Sequence, residues 1–322
     1  MKVRAIAWKI GAGLERDLGV LQEVARELFL EVSTLHKITH RRIDKALTIV
    51  KRRSPLRRSI DLQISFEHVL PRYVADARIN WLIPNAEWFE EAWISELEEF
   101  DLVLTKSRHA EHIFAGLGAR AMFIGWTSVD QRLDEQDRDW EHPLHIAGKS
   151  RQKGTINLVN LWKRSPEFPM LTIVANSQVF EDPKLPNVNF IGERLSDLEL
   201  QRLMNKHGLR LCPSHTEGFG HIICEAMSTG ALVLTTNAPP MNELIDESIG
   251  VLVEPGSSRP MRLDRWHDIP LDELKRGVTR LLSIDKVEAR RMGEAARARW
   301  EMNDSQTRAR LKQLIHQAVQ NS

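Results

Sequence analysis

Short apolar runs alternate with amphipathic segments along most of the chain. In the first part, strand-like runs fall at 3–8, 28–34, 61–66, 79–83, 102–105 and 121–126, with helical spacing of apolar residues at 18–28 and 108–116 between them. Such alternation predicts βαβ units and parallel sheets. The pattern breaks at 130–143, "DQRLDEQDRDWEHP", where charge replaces periodicity and a proline closes the stretch, so a linker is expected there. Beyond it the alternation resumes with "PLHIAGKS", "MLTIVANS", "VNFIGE", "LRLCPS", "ALVLTTN" and "GVLVEP". From about residue 270 the period is helical to the end, and 305–320 is long enough to pack back across the first half. The expected fold class is α/β, with two Rossmann-like doubly wound domains at 1–135 and 141–304 and a C-terminal helix at 305–322. No internal repeat or low-complexity tract interrupts it.

Composition narrows the class further. The 322 residues suffice for two ordinary α/β domains, and a formal net charge of +1 gives no whole-molecule field toward nucleic acid or membrane. Apolar content of 42% and charged content of 28% are those of a soluble globular protein. The first residues are too charged for a signal peptide, and no run of 18 apolar residues occurs, so an intracellular location is expected. Cys212 and Cys224 sit inside apolar runs without metal-ligand spacing, which favours buried reduced thiols over a disulfide.

Candidate chemistry concentrates in "HTEGFGHIICEAMSTG", 215–230. A strand at 209–214 leads through a turn into a helix expected from Gly220 to Thr229, with Gly230 as its stop. Gly218 and Gly220 let a ligand approach the backbone, and the first helix amides favour an anion such as a diphosphate. Glu217 before the turn and Glu225 inside the helix can both accept hydrogen bonds from sugar hydroxyls.

This segment resembles the retaining glycosyltransferases of the GT-B fold, in particular the nucleotide-sugar-dependent family 4. Their Glu-x7-Glu signature is matched by Glu217, Gly218, Phe219, Gly220, Glu225, Ala226 and Gly230. "HIAGKSRQKG", 145–154, is similar to the family's "GR…KG" element, with Lys149 in place of the usual arginine and Lys153 in place of the lysine. "VLTKSRHAEHIFAGLGARAMFIGWTSVD" is similar to the last strand-helix-strand of the family's N-terminal half, with Ser107 and Asp130 in the usual places. The resemblance implies a GT-B architecture, two domains facing a cleft, and a hexose transferred with retention from a nucleotide-diphosphate donor, UDP-hexose first. It implies that Lys149 and Lys153 neutralise the departing diphosphate, that Glu225 holds the ribose, and that Glu217 with the amides of Gly218, Phe219 and Gly220 holds the donor sugar. Gly192 and Arg194 in "FIGERLS" would line the base pocket. Gly11 and Gly13 in "KIGAG" would approach the donor phosphate. His68 is the candidate for the family's cleft histidine, although Phe66 and Glu67 fit the same place. Front-face attack, with the leaving phosphate taking the acceptor proton, requires no protein nucleophile. The nucleotide sugar is a substrate, and neither cofactor nor metal is expected.

Other clusters read as structure. Asp137 and Asp139 in "DRD" lie in the polar linker, and His109 and His112 lack further zinc ligands. Trp88 in "WLIPNAEWFEEAW" is a candidate for stacking an acceptor ring or base. The outlier is 37–58, with nine Lys or Arg against one acid, Asp44. Such density implies an anionic partner, and Arg52, Arg53, Arg57 and Arg58 are the acceptor-binding candidates. The family's N-terminal half carries the acceptor, and phage DNA glucosyltransferases share the fold. DNA bearing hydroxymethylated bases therefore ranks ahead of a lipid or glycan at an anionic membrane surface, since the stretch lacks the bulky aromatics of a membrane-inserting helix. A nucleotide-sugar-binding protein without catalysis would keep Lys153 and the glycines but drop a carboxylate, and this chain keeps both.

Overall fold

The computed structural model describes residues 2–7, 11–35, 59–133 and 137–320. Two all-parallel, six-stranded sheets organise the chain. The first contains β1 (Val3–Ala7), β2 (Val32–Leu35), β3 (Ile60–Phe66), β4 (Ala77–Ile83), β5 (Leu102–Thr105) and β6 (Ala121–Phe123), in the order β2-β1-β3-β4-β5-β6. The second contains β7 (Leu144–Gly148), β8 (Leu171–Ala175), β9 (Val188–Ile191), β10 (Leu209–Cys212), β11 (Leu232–Thr236) and β12 (Gly250–Val253), in the order β12-β11-β10-β7-β8-β9. Strands covered on both faces need apolar runs rather than alternation. β8 and β11 are accordingly buried at every position, whereas the edge strands β2 and β9 are not.

The chain divides into two compact units. The first comprises 1–128, 261–264 and 303–322, and one of its core clusters packs Leu82, Phe89, Trp93, Val103 and Phe114. The second comprises 129–260 and 265–302, with Trp162, Ile173, Leu211, Leu234 and Val278 in its core.

Four elements differ from the sequence expectation. The run at 28–34 is a helix end before it is a strand: the helix Ala12–Glu27 buries Leu14, Leu18, Leu21 and Val24 on one stripe. Leu28 then caps it, Phe29 turns through φ 56° at 97% exposure, and pairing starts only at Val32. β6 stops at Phe123 because Gly125, at φ 71°, bends the chain away. The C-terminal helix is one element of 35 residues, Lys286–Gln320. Its last part counts with the first unit, where Arg308 pairs with Glu23 at 2.9 Å, Lys312 pairs with Glu27, and Arg310 donates to the Ile124 carbonyl. A two-stranded sheet of β13 (Ser258–Met261) and β14 (Asp264–His267) was not expected, because its residues are mostly polar and show no apolar run.

Candidate functional site

In an open parallel sheet, ligands bind beyond the carboxyl ends of the strands, where neighbouring strands send their connections in opposite directions. In the second sheet that point lies between β7 and β10. The turn after β7 carries Lys149, Gln152, Lys153 and Gly154, and the turn after β10 carries Ser214, Glu217, Gly218 and Gly220. The two motifs singled out from the sequence, some sixty residues apart, therefore meet at one place.

They meet by direct contact. Lys153 Nζ donates to both oxygens of Glu217, at 2.5 and 2.7 Å, and Ser214 Oγ donates to Glu217 Oε1 at 2.6 Å. The pair is mostly shielded, with side-chain exposures of 17% for Lys153 and 9% for Glu217. The His215 amide also donates to the Gln152 carbonyl at 2.7 Å. Gly154 is required here. At φ 74° a Cβ would stand 2.1 Å from the Pro213 carbonyl oxygen, so any side chain drives the two turns apart. His145 on β7 fastens them from below, its Nδ1 to the Leu211 carbonyl at 2.8 Å and its Nε2 to Thr155 Oγ1 at 2.9 Å. His215 is held by the His267 carbonyl and Asn157, and its ring stacks on Trp266 with centroids 4.3 Å apart.

Burial pulls the His145 imidazole down to about 4 from its ordinary 6.5. It also lowers His207 and His215. A histidine neutral in the folded state but free to charge when unfolded costs stability as pH falls below the unfolded value, until the folded value is reached. His145 alone is expected to remove about 2 kcal/mol between pH 7 and pH 5. Urea unfolding of wild type and His145→Asn at both pH values checks this: the variant should lose less stability on acidification, and equal losses would contradict it.

The helix after the turn is His221–Ser228, with Gly220 at φ 101° as its N-terminal flank and Gly230 at φ 73° beyond its end. Its first backbone bonds run from Ile223 and Cys224 to the Gly220 carbonyl, so the amides before them point out of the helix start. Phe219 is buried, with its ring edge-on to His221 at 5.2 Å. Glu225 lies inside, 1% exposed. On the adjacent strand Arg210 is also 1% exposed, and its Nε and Nη2 have no hydrogen-bond partner among the described residues. Burial pulls its guanidinium down to about 10. Cys212 and Cys224 are free and buried, and burial pushes the Cys212 thiol up to about 12, so it stays protonated. The sequence reading missed Arg210, Ser214 and Gln152. The Ser-x-x-Glu spacing was a signal for Ser214, whereas Gln152 acts through its backbone and leaves none.

Lys149 and Arg194 are exposed and form no ion pair among the described residues. Gly192 follows β9 in close contact with Phe190 and Ser177. Asp139 accepts from the Glu141 and His142 amides and from the His142 ring, which is turn chemistry. His109 pairs with Asp264 at 2.8 Å. Among the described residues no group of three or more His, Cys, Asp or Glu could hold a metal ion, and no helix is long and apolar enough to cross a membrane.

The first sheet has its own reversal point, between β1 and β3. Gly11 flanks the start of the helix Ala12–Glu27, and Gly13 lies in its first turn. After β3, Glu67 adopts φ 59°, and its Oε1 accepts from Asn85 Nδ2 at 2.8 Å. The next residue, His68, packs against the Trp93 ring at 5.3 Å. Beside them Lys106 and Asp17 form a buried ion pair at 2.5 Å, each side chain 1% exposed. Trp88 is 47% exposed, on the short turn Ala86–Trp88. Arg52, Arg53, Arg57 and Arg58, with the rest of 37–58, lie outside the described residues.

Two such sheets, the second in the dinucleotide-binding strand order, make up the GT-B architecture. Known structures bear this out over the whole chain. A glycosyltransferase from Rickettsia africae matches with TM-score 0.74 at 14% identity, covering 100% of this chain and 99% of its own. Sucrose-phosphate synthase from Thermosynechococcus elongatus matches with TM-score 0.75 at 14% identity, covering 100% of both. Anabaena Alr3699/HepE, in complex with UDP and glucose, matches with TM-score 0.68 at 16% identity, also covering 100% of both. Residues 182–265 match the family model described as glycosyl transferases group 1, a segment that contains β10, Glu217 and Glu225. No curated protein matches the sequence.

Proposed function

We propose that the protein is a retaining, metal-independent glycosyltransferase that moves a hexose from UDP-hexose to an acceptor hydroxyl. The observation that carries this reading is the Lys153–Glu217–Ser214 constellation at the reversal point of the second sheet. The bound UDP and glucose of the HepE structure support the donor class. Lys153 is held by Glu217. Donor binding exchanges these partners: Lys153, joined by Lys149, takes the diphosphate oxygens, and Glu217 accepts from the sugar hydroxyls. As the bond to the anomeric carbon breaks, negative charge grows on the diphosphate, and a positioned ammonium in a shielded site stabilises that charge more than the ground state. The departing phosphate takes the acceptor proton. Nucleotide release from UDP-glucose, UDP-galactose, UDP-N-acetylglucosamine and GDP-mannose tests the reading, and the anomeric configuration of the product tests retention. Release from none of them would overturn it.

For the acceptor, the nine-to-one charge ratio of 37–58 supports hydroxymethylated DNA. Reversing Arg52, Arg53, Arg57 and Arg58 to glutamate is expected to weaken duplex binding steeply and to flatten its salt dependence between about 50 and 200 mM, because each phosphate contact contributes about one unit to the log–log slope. Donor hydrolysis without acceptor should survive the change. Binding of the wild type to anionic liposomes but not to DNA would move the acceptor to a lipid.

A further inference from the structure

The reversal point of the first sheet holds a carboxylate outside the Lys153–Glu217 donor site. Glu67 is the residue directly after β3, and its φ of 59° lies in the left-handed region that favours glycine. A non-glycine residue persists there where its surroundings enforce it, and such strain gathers at functional sites. Two contacts enforce it here. The Glu67 amide donates to the Ile83 carbonyl at 2.9 Å, and Asn85 Nδ2 grips Oε1 at 2.8 Å. Asn85 is itself 9% exposed, and its Oδ1 has no hydrogen-bond partner among the described residues. Glu67 Oε2 likewise has no partner among the described residues, while the residue stays partly accessible. The neighbouring cation is already committed, since Lys106 pairs with Asp17. A phosphate therefore finds no spare cation among these residues, whereas a hydroxyl finds a fixed carboxylate oxygen ready to accept its hydrogen bond.

We infer that Glu67, fixed by Asn85, binds the attacking hydroxyl of the acceptor and orients it for transfer. The inference rests on the proposed glycosyl transfer, because that reaction needs a second site of this chemistry besides the anion-binding one. Glu67 makes the hydrogen bond that selects one hydroxyl of a polyhydroxyl ligand, and Asn85 is a positioning residue that keeps the carboxylate turned toward it. Burial pushes the Glu67 carboxyl up, against the pull of Lys106, which makes it a stronger hydrogen-bond acceptor when ionised.

Glycerol, glucose and 5-hydroxymethyl-2′-deoxycytidine serve as hydroxyl probes, followed by saturation-transfer NMR on the full chain without donor. The wild type is expected to give signals from at least one probe, and Glu67→Gln to lose them at least tenfold. Glu67→Gly provides the folding control, since relief of the left-handed strain should hold or raise the melting temperature while binding is still lost. Asn85→Ala should weaken binding less than either. Where a donor is turned over, Glu67→Gln should raise acceptor KM at least tenfold. No probe binding to the wild type, or equal binding to a folded Glu67→Gln, would overturn the inference. Absence of nucleotide release from wild type, with hydroxyl binding intact and Glu67-dependent, would instead overturn the donor reading and leave this site standing.

Discussion

Replacing Lys153 with methionine is expected to reduce transfer at least about a hundredfold, the usual cost of about 3 kcal/mol for losing a positioned donor to developing charge. The same change should also destabilise the protein by about 1–3 kcal/mol, because Glu217 would keep Ser214 Oγ but lose the ammonium that contacts both its oxygens in a shielded position. These two effects separate in a double-mutant cycle. Glu217→Gln added to Lys153→Met removes the uncompensated charge and should recover much of the stability without recovering transfer. Steady-state nucleotide release and urea midpoints of the four proteins measure both. Transfer at the wild-type rate in Lys153→Met would end the assignment, and additive stability losses would show that the pair is not coupled in the folded protein.

Glu225→Ala is expected to lower stability by about 1–3 kcal/mol, because it removes the buried carboxylate whose charge counters the burial of the equally buried Arg210 guanidinium. An uncompensated guanidinium in the interior is the damaging species, more than the lost contact itself. Arg210→Met combined with Glu225→Ala should therefore be more stable than Glu225→Ala alone, and the coupling between the two positions should exceed about 1 kcal/mol. Chemical denaturation of the two single variants and the double variant checks it. A double variant no more stable than Glu225→Ala would show that Arg210 does not depend on Glu225. Transfer should be lost in every variant lacking Glu225, since its carboxylate is proposed to hold the donor's ribose.

The sheets were legible because buried parallel strands leave an unmistakable record: "LTIVA" and "LVLTT" are apolar throughout, and each stands between helical periods. β5 and the helix Arg108–Gly116 fall where the pattern put them, the helix start being fixed by the Ser107 hydroxyl on the Ala110 amide. The 28–34 run misled because a helix terminus buried on one side uses the same apolar residues as a strand. The β13–β14 sheet was invisible since neither strand is buried enough to require apolar side chains. At the second reversal point, Glu217 and Lys153 were legible as members of two local motifs, although nothing in the sequence said that one would hold the other. The Glu67–Asn85 and Lys106–Asp17 contacts join residues 18 and 89 positions apart, and no local spacing encodes them. Arg210 occupies a strand position where pattern predicts an apolar residue, and the influence of Glu225 on its charge arises only in three dimensions.

The turns after β7 and β10 are proposed to form an anion-binding site for a nucleotide diphosphate. Calorimetric titration of UDP into the wild type and Lys153→Met tests it most directly, because it requires neither the correct sugar nor the acceptor. Saturable binding to the wild type, weakened at least about tenfold in the variant, is the predicted result, corresponding to at least about 1.4 kcal/mol for the lost charge-assisted contact. Equal binding to both proteins, or no binding of UDP or GDP to the wild type, would contradict it.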